Sequence, residues 1–260
     1  MKKFLTNYWK TLLFFAVMGL LGGFFIGIYL LESYPEDIRL QVIEELNTAG
    51  LGQFPVDILI GVITAIQAAG YGIVLGAIGI LLSKKIGLWN DRMGVAVKPL
   101  LASVFVAFVS GLAMVLLDLL FFGRYSDVII DSYATKPTIT YILGSIIYGG
   151  VIEEVMLRLF CMSLIAFVLH KLFQRNRNIP TTAVFVIANI FSALLFAAGH
   201  LPATAMLMGV TPMIIFRCFL LNGVIGLLFG RLYRKHGLQY AMLAHGGSHL
   251  VSKLIWILFI

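Results

Sequence analysis

The feature that most constrains this chain is the length of its charge-free stretches. From Asn178 to Phe216 there is no Asp, Glu, Lys or Arg in 39 residues, from Ile58 to Ser83 none in 26, and from Thr11 to Leu31 none in 21. About 20 apolar residues in a helix cross the ~30 Å hydrocarbon core of a bilayer. A chain with several such windows in 260 residues has lipid as its solvent. Composition agrees: 60% of residues are hydrophobic and 12% charged, against ~45–50% and ~25% in soluble domains. A water-soluble enzyme, a disordered chain, a disulfide scaffold and a nucleic-acid-binding domain are excluded. The expected class is all-α, a polytopic membrane protein of about seven to eight transmembrane helices.

The windows place the spans. The first covers 11–31 and reads as a retained helix rather than a cleaved leader, because it is long and has no small-x-small cleavage site before Glu32. Residues 35–48 are polar and acidic, with apolar positions partly at helical spacing, and predict a short surface helix. Further spans fall at 58–83 and 99–122, followed by a loop from Gly123 to Lys136. The stretch 137–173 would be ~54 Å long as one helix, too long for the core. Gly149-Gly150 is its natural bend, and an eighth span results if 137–149 stands apart. Spans at 180–199 and 211–233 flank a turn at His200 and Pro202, and the last runs over 238–259. Cys161 and Cys218 lie in apolar stretches and read as buried small hydrophobes.

Charge sets the orientation. With the N-terminus inside, 13 of the 19 Lys and Arg residues fall in inner loops, among them Lys2, Lys3, Lys84, Lys85, Arg92, Arg175, Arg234 and Lys235. Arg39, Arg124, Lys136 and Lys253 fall outside, and Arg158 and Arg217 are intramembrane. Of the acidic residues, only Asp91 is clearly inside. The positive-inside rule therefore predicts a cytoplasmic N-terminus. The net charge of +7 describes topology, and binding of anionic headgroups is secondary.

An ionisable side chain inside a membrane is costly and needs a reason. The candidates are Glu153, Glu154, Arg158, His200, Arg217, His245 and His249. Glu154 and Arg158 are i and i+4 and can neutralise each other on one helix face, as structural ion partners. Glu153 lies about 100° round the helix without a partner in sequence, which suits a general base or acid. His200 follows Phe196-Ala197-Ala198-Gly199, and alone would read as a packing residue. His245 and His249 share a face at a spacing that can bind zinc, yet the glutamate of a His-Glu-x-x-His protease is absent. Ser248 has no glycine-rich elbow around it, so a serine nucleophile is not supported. Arg217 and Asn222 share a span, where Arg217 could neutralise a carboxylate or snorkel. Gln67, Asp118 and His170 read as interfacial or interhelical packing.

Three of these patterns together resemble a known family. Glu153-Glu154-x-x-x-Arg158, then Phe196-x-x-x-His200, then His245-x-x-x-His249 are similar to the motifs of the CPBP family. These are the CAAX prenyl protease and bacteriocin-processing membrane proteins, also called the Abi family. The run from Asn222 to Lys235, followed by Leu243-Ala244-His245, resembles that family's penultimate helix. The resemblance covers about Thr138 to Ile260. It implies residues 136–260 as the catalytic core and 1–135 as variable N-terminal helices. It further implies an intramembrane glutamic endopeptidase with its active site in a cavity within the membrane, needing no cofactor. Glu153 would activate water, His200 would share that water or its proton, and His245 and His249 would serve the oxyanion. Glu154 and Arg158 would hold the Glu153 helix. The departure is His249, where the family usually has asparagine; a neutral ring N–H can still donate there.

Other readings stay open. A zinc variant would use Glu153, His200, His245 and His249 as ligands. A non-enzymatic relative would act as a bacteriocin-immunity or regulatory membrane partner. A small transporter ranks last, because no internal repeat or paired broken helix is visible. The expected partners are the bilayer and a peptide or membrane-protein substrate, with a sensor kinase or a peptide-export system as a further partner. The expected location is a cell membrane, bacterial by the style of the chain, and a prenylated substrate is not expected there. One geometric difficulty stands: helix counting puts His200 near the outer end of its span and His245 ~10 Å from the inner end of the last one.

Overall fold

In the membrane windows, large apolar side chains point outward and small ones inward, the reverse of a soluble bundle. The computed structural model describes residues 2–89 and 94–260, with side chains from residue 6 onward. Asp91 and Arg92, expected as loop markers, lie outside the described residues, as do the side chains of Lys2 and Lys3. Helix α1 covers Lys2–Ser33. Helix α2, Glu36–Thr48, buries no residue, as expected of a surface helix. Helix α3, Val56–Lys85, presents Ile66, Ile73 and Val74 outward and buries almost only Gly61, Ala65, Ala68, Ala69, Gly72, Gly76 and Gly79. Helices in lipid gain little from burying Leu against Leu, so small residues at the seam let backbones touch and supply dispersion contact instead. A Cβ on Gly23 of α1 would stand 2.6 Å from the Thr64 carbonyl oxygen, so a side chain there would force α1 and α3 apart.

Helix α4 covers Val97–Leu120. The expected loop 123–136 is partly helical: a single tight turn at Phe122–Arg124 and the short helix α5, Asp127–Asp131. Ile129 of α5 is fully buried, which explains the ordering. Helix α6, Ile139–Gly144, opens on Thr138, whose hydroxyl accepts from the Tyr141 N–H as an N-cap. It continues without a break through Ser145–Glu153 and Val155–Met162, two segments with wide π-type turns, into α7, Ser163–Phe173. There is no break at Gly149-Gly150, so the rod does not divide there into two helices. Wide turns of this kind are uncommon and recur at functional sites.

Helix α8 covers Thr182–Met208. This corrects the expected span 180–199, because the helix runs on through His200 and Pro202. A proline inside a helix leaves one carbonyl without its N–H, a loss that membrane helices tolerate when neighbouring groups satisfy the backbone. Helix α9, Pro212–Cys218, passes through the wide-turn segment Phe219–Val224 into α10, Ile225–His236, and Gly237 at φ +114° turns the chain into α11, Leu238–Phe259.

The protein is all-helical, and no strand occurs among the described residues. Among the described residues, five helices are long and apolar enough to cross a membrane: Thr6–Ser33, Val56–Lys85, Val97–Arg124, Thr182–Met208 and Pro212–His236. The rod 139–173 and α11 are not among them. Between them they carry Glu153, Glu154, Arg158, His245, His249 and Lys253, so the count of seven to eight spans is not reached on length and hydropathy alone. The main core gathers Phe15, Ile80, Ile152, Val155, Leu159, Met162 and Phe229 around the middle of the rod. Lys253, expected on the outer side, is 3% exposed. Both cysteines are free thiols.

Candidate active site

The rod delivers two adjacent carboxylates to opposite tasks. Glu154 is fully buried and Glu153 keeps 19% of its side chain exposed. At Glu154 the expected i,i+4 pair forms, with Arg158 Nε 3.5 Å from Oε2. The guanidinium also donates from Nη2 to the Gly226 carbonyl at 3.0 Å and lies 4.8 Å from the centroid of Phe196 and 5.8 Å from that of Phe229. The other oxygen of Glu154 accepts from His245 Nδ1 at 2.9 Å. Glu154 is thus the joint between an arginine on its own helix and a histidine 91 residues away.

That bond fixes the imidazole. With the Nδ1 proton committed to a carboxylate, His245 turns Nε2 toward Glu153, 3.7 Å from Oε2. Phe229 stacks on the ring at 4.6 Å, which holds its plane. His200 is arranged the same way from the other side. Its Nδ1 donates to the Phe196 carbonyl at 2.9 Å, and its Nε2 stands 4.0 Å from Glu153 Oε1. This bond resolves the difficulty of depth: the His200 ring folds back one turn along α8, toward the level of His245, and no turn at Pro202 is needed. Phe196 meets both imidazoles edge-on, at 4.7 and 5.5 Å.

His249 completes the stripe on α11, its ring 5.0 Å from that of His245. Its Nδ1 is buried and has no hydrogen-bond partner. Its Nε2 lies against Gly149, where a Cβ would come within 2.9 Å of it and within 3.5 Å of His245 Nε2. One residue on, a Cβ on Gly150 would stand 2.8 Å from Gly246 Cα. The Gly149-Gly150 pair, read from sequence as a bend, is the place where the rod and α11 touch backbone to backbone.

Glu153, His200, His245 and His249 therefore converge, and Glu154 and Arg158 stand behind them. The gaps of 3.7 and 4.0 Å exceed direct hydrogen bonds, so Glu153 faces both imidazoles without being bonded to either. The same distances exceed the ~3.4 Å between neighbouring ligands of a tetrahedral zinc ion. Among the described residues no group of three or more His, Cys, Asp or Glu side chains is placed to hold a metal.

The remaining candidates lie elsewhere. Arg217 neither snorkels nor joins the site: its Nε and Nη2 each donate at 2.6 Å to Asp118 of α4, and the Tyr133 hydroxyl donates to the same carboxylate at 3.0 Å. Burial, with the Asp118 charge beside it, holds the Tyr133 phenol above the ordinary tyrosine range. Ser248 Oγ donates to the His245 carbonyl on its own helix, and Asn222 donates to the Cys218 carbonyl. Gln67 donates to the Tyr71 hydroxyl, and His170 is buried with Nδ1 unpartnered. Sequence reasoning missed the Phe229 platform, the Gly150–Gly246 contact and the third member of the Asp118 cluster. Phe229 lies inside the Asn222–Lys235 run and Gly246 inside the His245-x-x-x-His249 pattern.

Residues 135–251, which hold every member of this cluster, match the family described as type II CAAX prenyl endopeptidase Rce1-like. The match covers 117 of the 260 residues, and over them the chain is similar to the Rce1-like family. No curated protein and no solved structure shows significant similarity. The family match and the apolar helices point to a multi-pass membrane protease, which would act on a peptide or membrane-protein substrate in the bilayer.

Proposed function

We propose that the protein is an intramembrane glutamic endopeptidase in which Glu153 activates the attacking water. The observation that supports this reading is the position of one partly exposed carboxylate between two imidazoles, 4.0 Å from His200 and 3.7 Å from His245. Glu153 takes a proton from the water, and the hydroxide adds to the scissile carbonyl carbon. The carbonyl oxygen becomes an oxyanion that accepts hydrogen bonds from Nε2 of His245 and from the His249 ring. The protonated Glu153 then gives its proton to the leaving amine as the C–N bond breaks, so one water is consumed and a carboxylic acid and an amine are released. His200 accepts a hydrogen bond from the water and steers it. To donate from Nε2 while Nδ1 is bonded to the Glu154 carboxylate at 2.9 Å, His245 carries protons on both nitrogens in this step. Arg158 holds Glu154 in place.

In this reading no metal is needed, residues 136–260 form the catalytic part and 1–135 pack against it, and the N-terminus faces the cytoplasm of a bacterial cell. The test is proteolysis of membrane peptides by purified protein. Glu153→Gln should lose cleavage by at least ~100-fold, the usual worth of a general base, while keeping its melting temperature. Chelator should leave the wild type active. Normal cleavage by Glu153→Gln ends the glutamic reading, and loss of activity in chelator that zinc restores replaces it with the metal-dependent one.

A further inference from the structure

Gly226 and Phe229 of α10 meet Arg158 and His245, and their neighbours on the same helix line a groove of about 330 Å³ that the reaction does not use. Its walls are Phe185, Val186 and Ile190 of α8 and Leu227 and Leu228 of α10, with the buried Met162 of the rod behind them. Val186, Ile190 and Leu228 are also exposed on the side of the bundle. Both walls belong to helices long and apolar enough to cross a membrane, so the groove opens toward acyl chains. Two bonds pin the antiparallel seam that forms it. Asn189 Nδ2 donates to the Leu227 carbonyl at 3.0 Å, and Arg234 Nη2 donates to the Thr182 hydroxyl at 2.8 Å.

One stripe of α10 changes character along that groove. Leu227, Leu228, Arg231, Arg234 and Lys235 all line it, and their spacing of three, four and seven residues puts them on one helix face. Leu228 and Lys235 lie ~10 Å apart along the axis. The stripe is apolar within the span and cationic over its last two turns, where the span ends and the phosphates of a bilayer lie. Among the described residues no Asp or Glu pairs with Arg231, Arg234 or Lys235. The Thr182 bond and the Phe185 ring, 5.0 Å away, hold the Arg234 guanidinium at the mouth of the groove with donors to spare. Cations that only set orientation need no more than a position beside the membrane end. That role does not account for three of them on the one stripe that continues an apolar groove. Charge and shape together complement an anionic amphiphile, with a phosphate over the cations and an acyl chain along the groove.

We propose that the groove between α8 and α10 binds an anionic phospholipid, with its phosphate held by Arg231, Arg234 and Lys235 and one acyl chain laid along Val186, Ile190 and Leu228. The site does not depend on the protease reading. Its occupant braces the helix that carries Phe229 against His245, so binding stabilises the folded protein by mass action.

The test uses purified full-length protein in a neutral detergent and phosphatidylglycerol with a diazirine in its acyl chain. After irradiation the adduct is located by peptide mass spectrometry, with unlabelled phosphatidylglycerol, phosphatidylcholine and inorganic phosphate as competitors. Adducts should fall on the walls of the groove. Phosphatidylglycerol should compete at least ~tenfold better than phosphatidylcholine, as expected of cations at a charged headgroup, and should raise the melting temperature. Inorganic phosphate should not displace the probe. Arg231→Gln with Lys235→Gln, both exposed side chains, should erase the preference and the stabilisation together. Val186→Trp fills the groove and keeps every charge, and should weaken the probe at least ~tenfold by excluding its chain. Lys85→Gln with Lys98→Gln removes as much charge from exposed positions outside the groove and should change neither readout. Adducts elsewhere overturn the proposal, as does a preference that survives loss of Arg231 and Lys235. An equal loss in the Lys85 and Lys98 variant assigns the preference to net charge and overturns it as well. Undiminished labelling of Val186→Trp removes the acyl-chain site, and displacement by inorganic phosphate assigns the cations to a free anion; either result overturns the lipid.

Discussion

The joint at Glu154 makes a quantitative demand that a double-mutant cycle can examine. Arg158→Met removes a guanidinium that is 0% exposed and leaves Glu154, also 0% exposed, with His245 as its one close cation. Glu154→Gln does the converse and leaves Arg158 buried among Phe196, Phe229 and the Gly226 carbonyl without a counter-charge. Breaking a buried ion pair from one side costs ~3–5 kcal/mol, whereas removing both charges is often close to neutral. If the two costs were independent, the double variant would lose ~6–10 kcal/mol, most of the ~5–15 kcal/mol that stabilises a domain. With the charges paired, it should lose no more than the worse single variant, a coupling of at least ~3 kcal/mol. The assay is reversible unfolding in mixed micelles at increasing dodecyl sulfate. Activity should not follow stability. The double variant has lost the carboxylate that accepts from His245 Nδ1 at 2.9 Å and fixes the ring. It should therefore fold and still cleave at least ~100-fold more slowly. Additive stability losses would refute the pairing, and a fully active double variant would refute the link from Glu154 to His245.

Neighbouring glycines should separate catalysis from folding. Gly149→Ala drives a methyl group at the His249 and His245 ring nitrogens, so it should cut kcat at least tenfold with a small change in melting temperature. Gly150→Ala meets the Gly246 backbone, which cannot rotate away, and should destabilise by ~1–3 kcal/mol as overpacking does; thermal melts and kinetics on both variants check the split. If His249 donates to the oxyanion, His249→Ala should lower kcat ~10²–10³-fold, the usual worth of one such donor. His249→Asn should stay within tenfold of the wild type, because an amide N–H can take the same part.

What the sequence made legible was set by local periodicity. Apolar windows with at most one charge located α3, α4 and α11 to within two residues of their ends, because scarce charge marks apolar helices one at a time. The Glu154–Arg158 pair was legible for the same reason, since i and i+4 always share a face. Failures came where the deciding partner was distant. Arg217 and Asp118 are 99 positions apart, and nothing local to either names the other. Gly149-Gly150 carries a local signal for a bend or break, and its close approach to the facing Gly246 is invisible locally. Pro202 was read as a turn from the N–H it lacks, yet α8 passes through it.

The site itself sits between these cases. Each motif names a residue type at a depth, and the motifs do not say how the residues meet. Two backbone-level facts supply the rest. The wide turns on both sides of Glu154 belong to the stretch of rod that presents adjacent carboxylates to different partners, one to a buried arginine and histidine and one to a partly open space. The glycine contact at Gly150 then lets α11 come close enough for His245 to reach both, 2.9 Å from Glu154 and 3.7 Å from Glu153. A side chain at Gly150 or Gly246 would lengthen both distances together. The geometry that separates a structural carboxylate from a reactive one thus depends on residues that have no side chain, and for that reason it left no mark among the charged positions of the sequence.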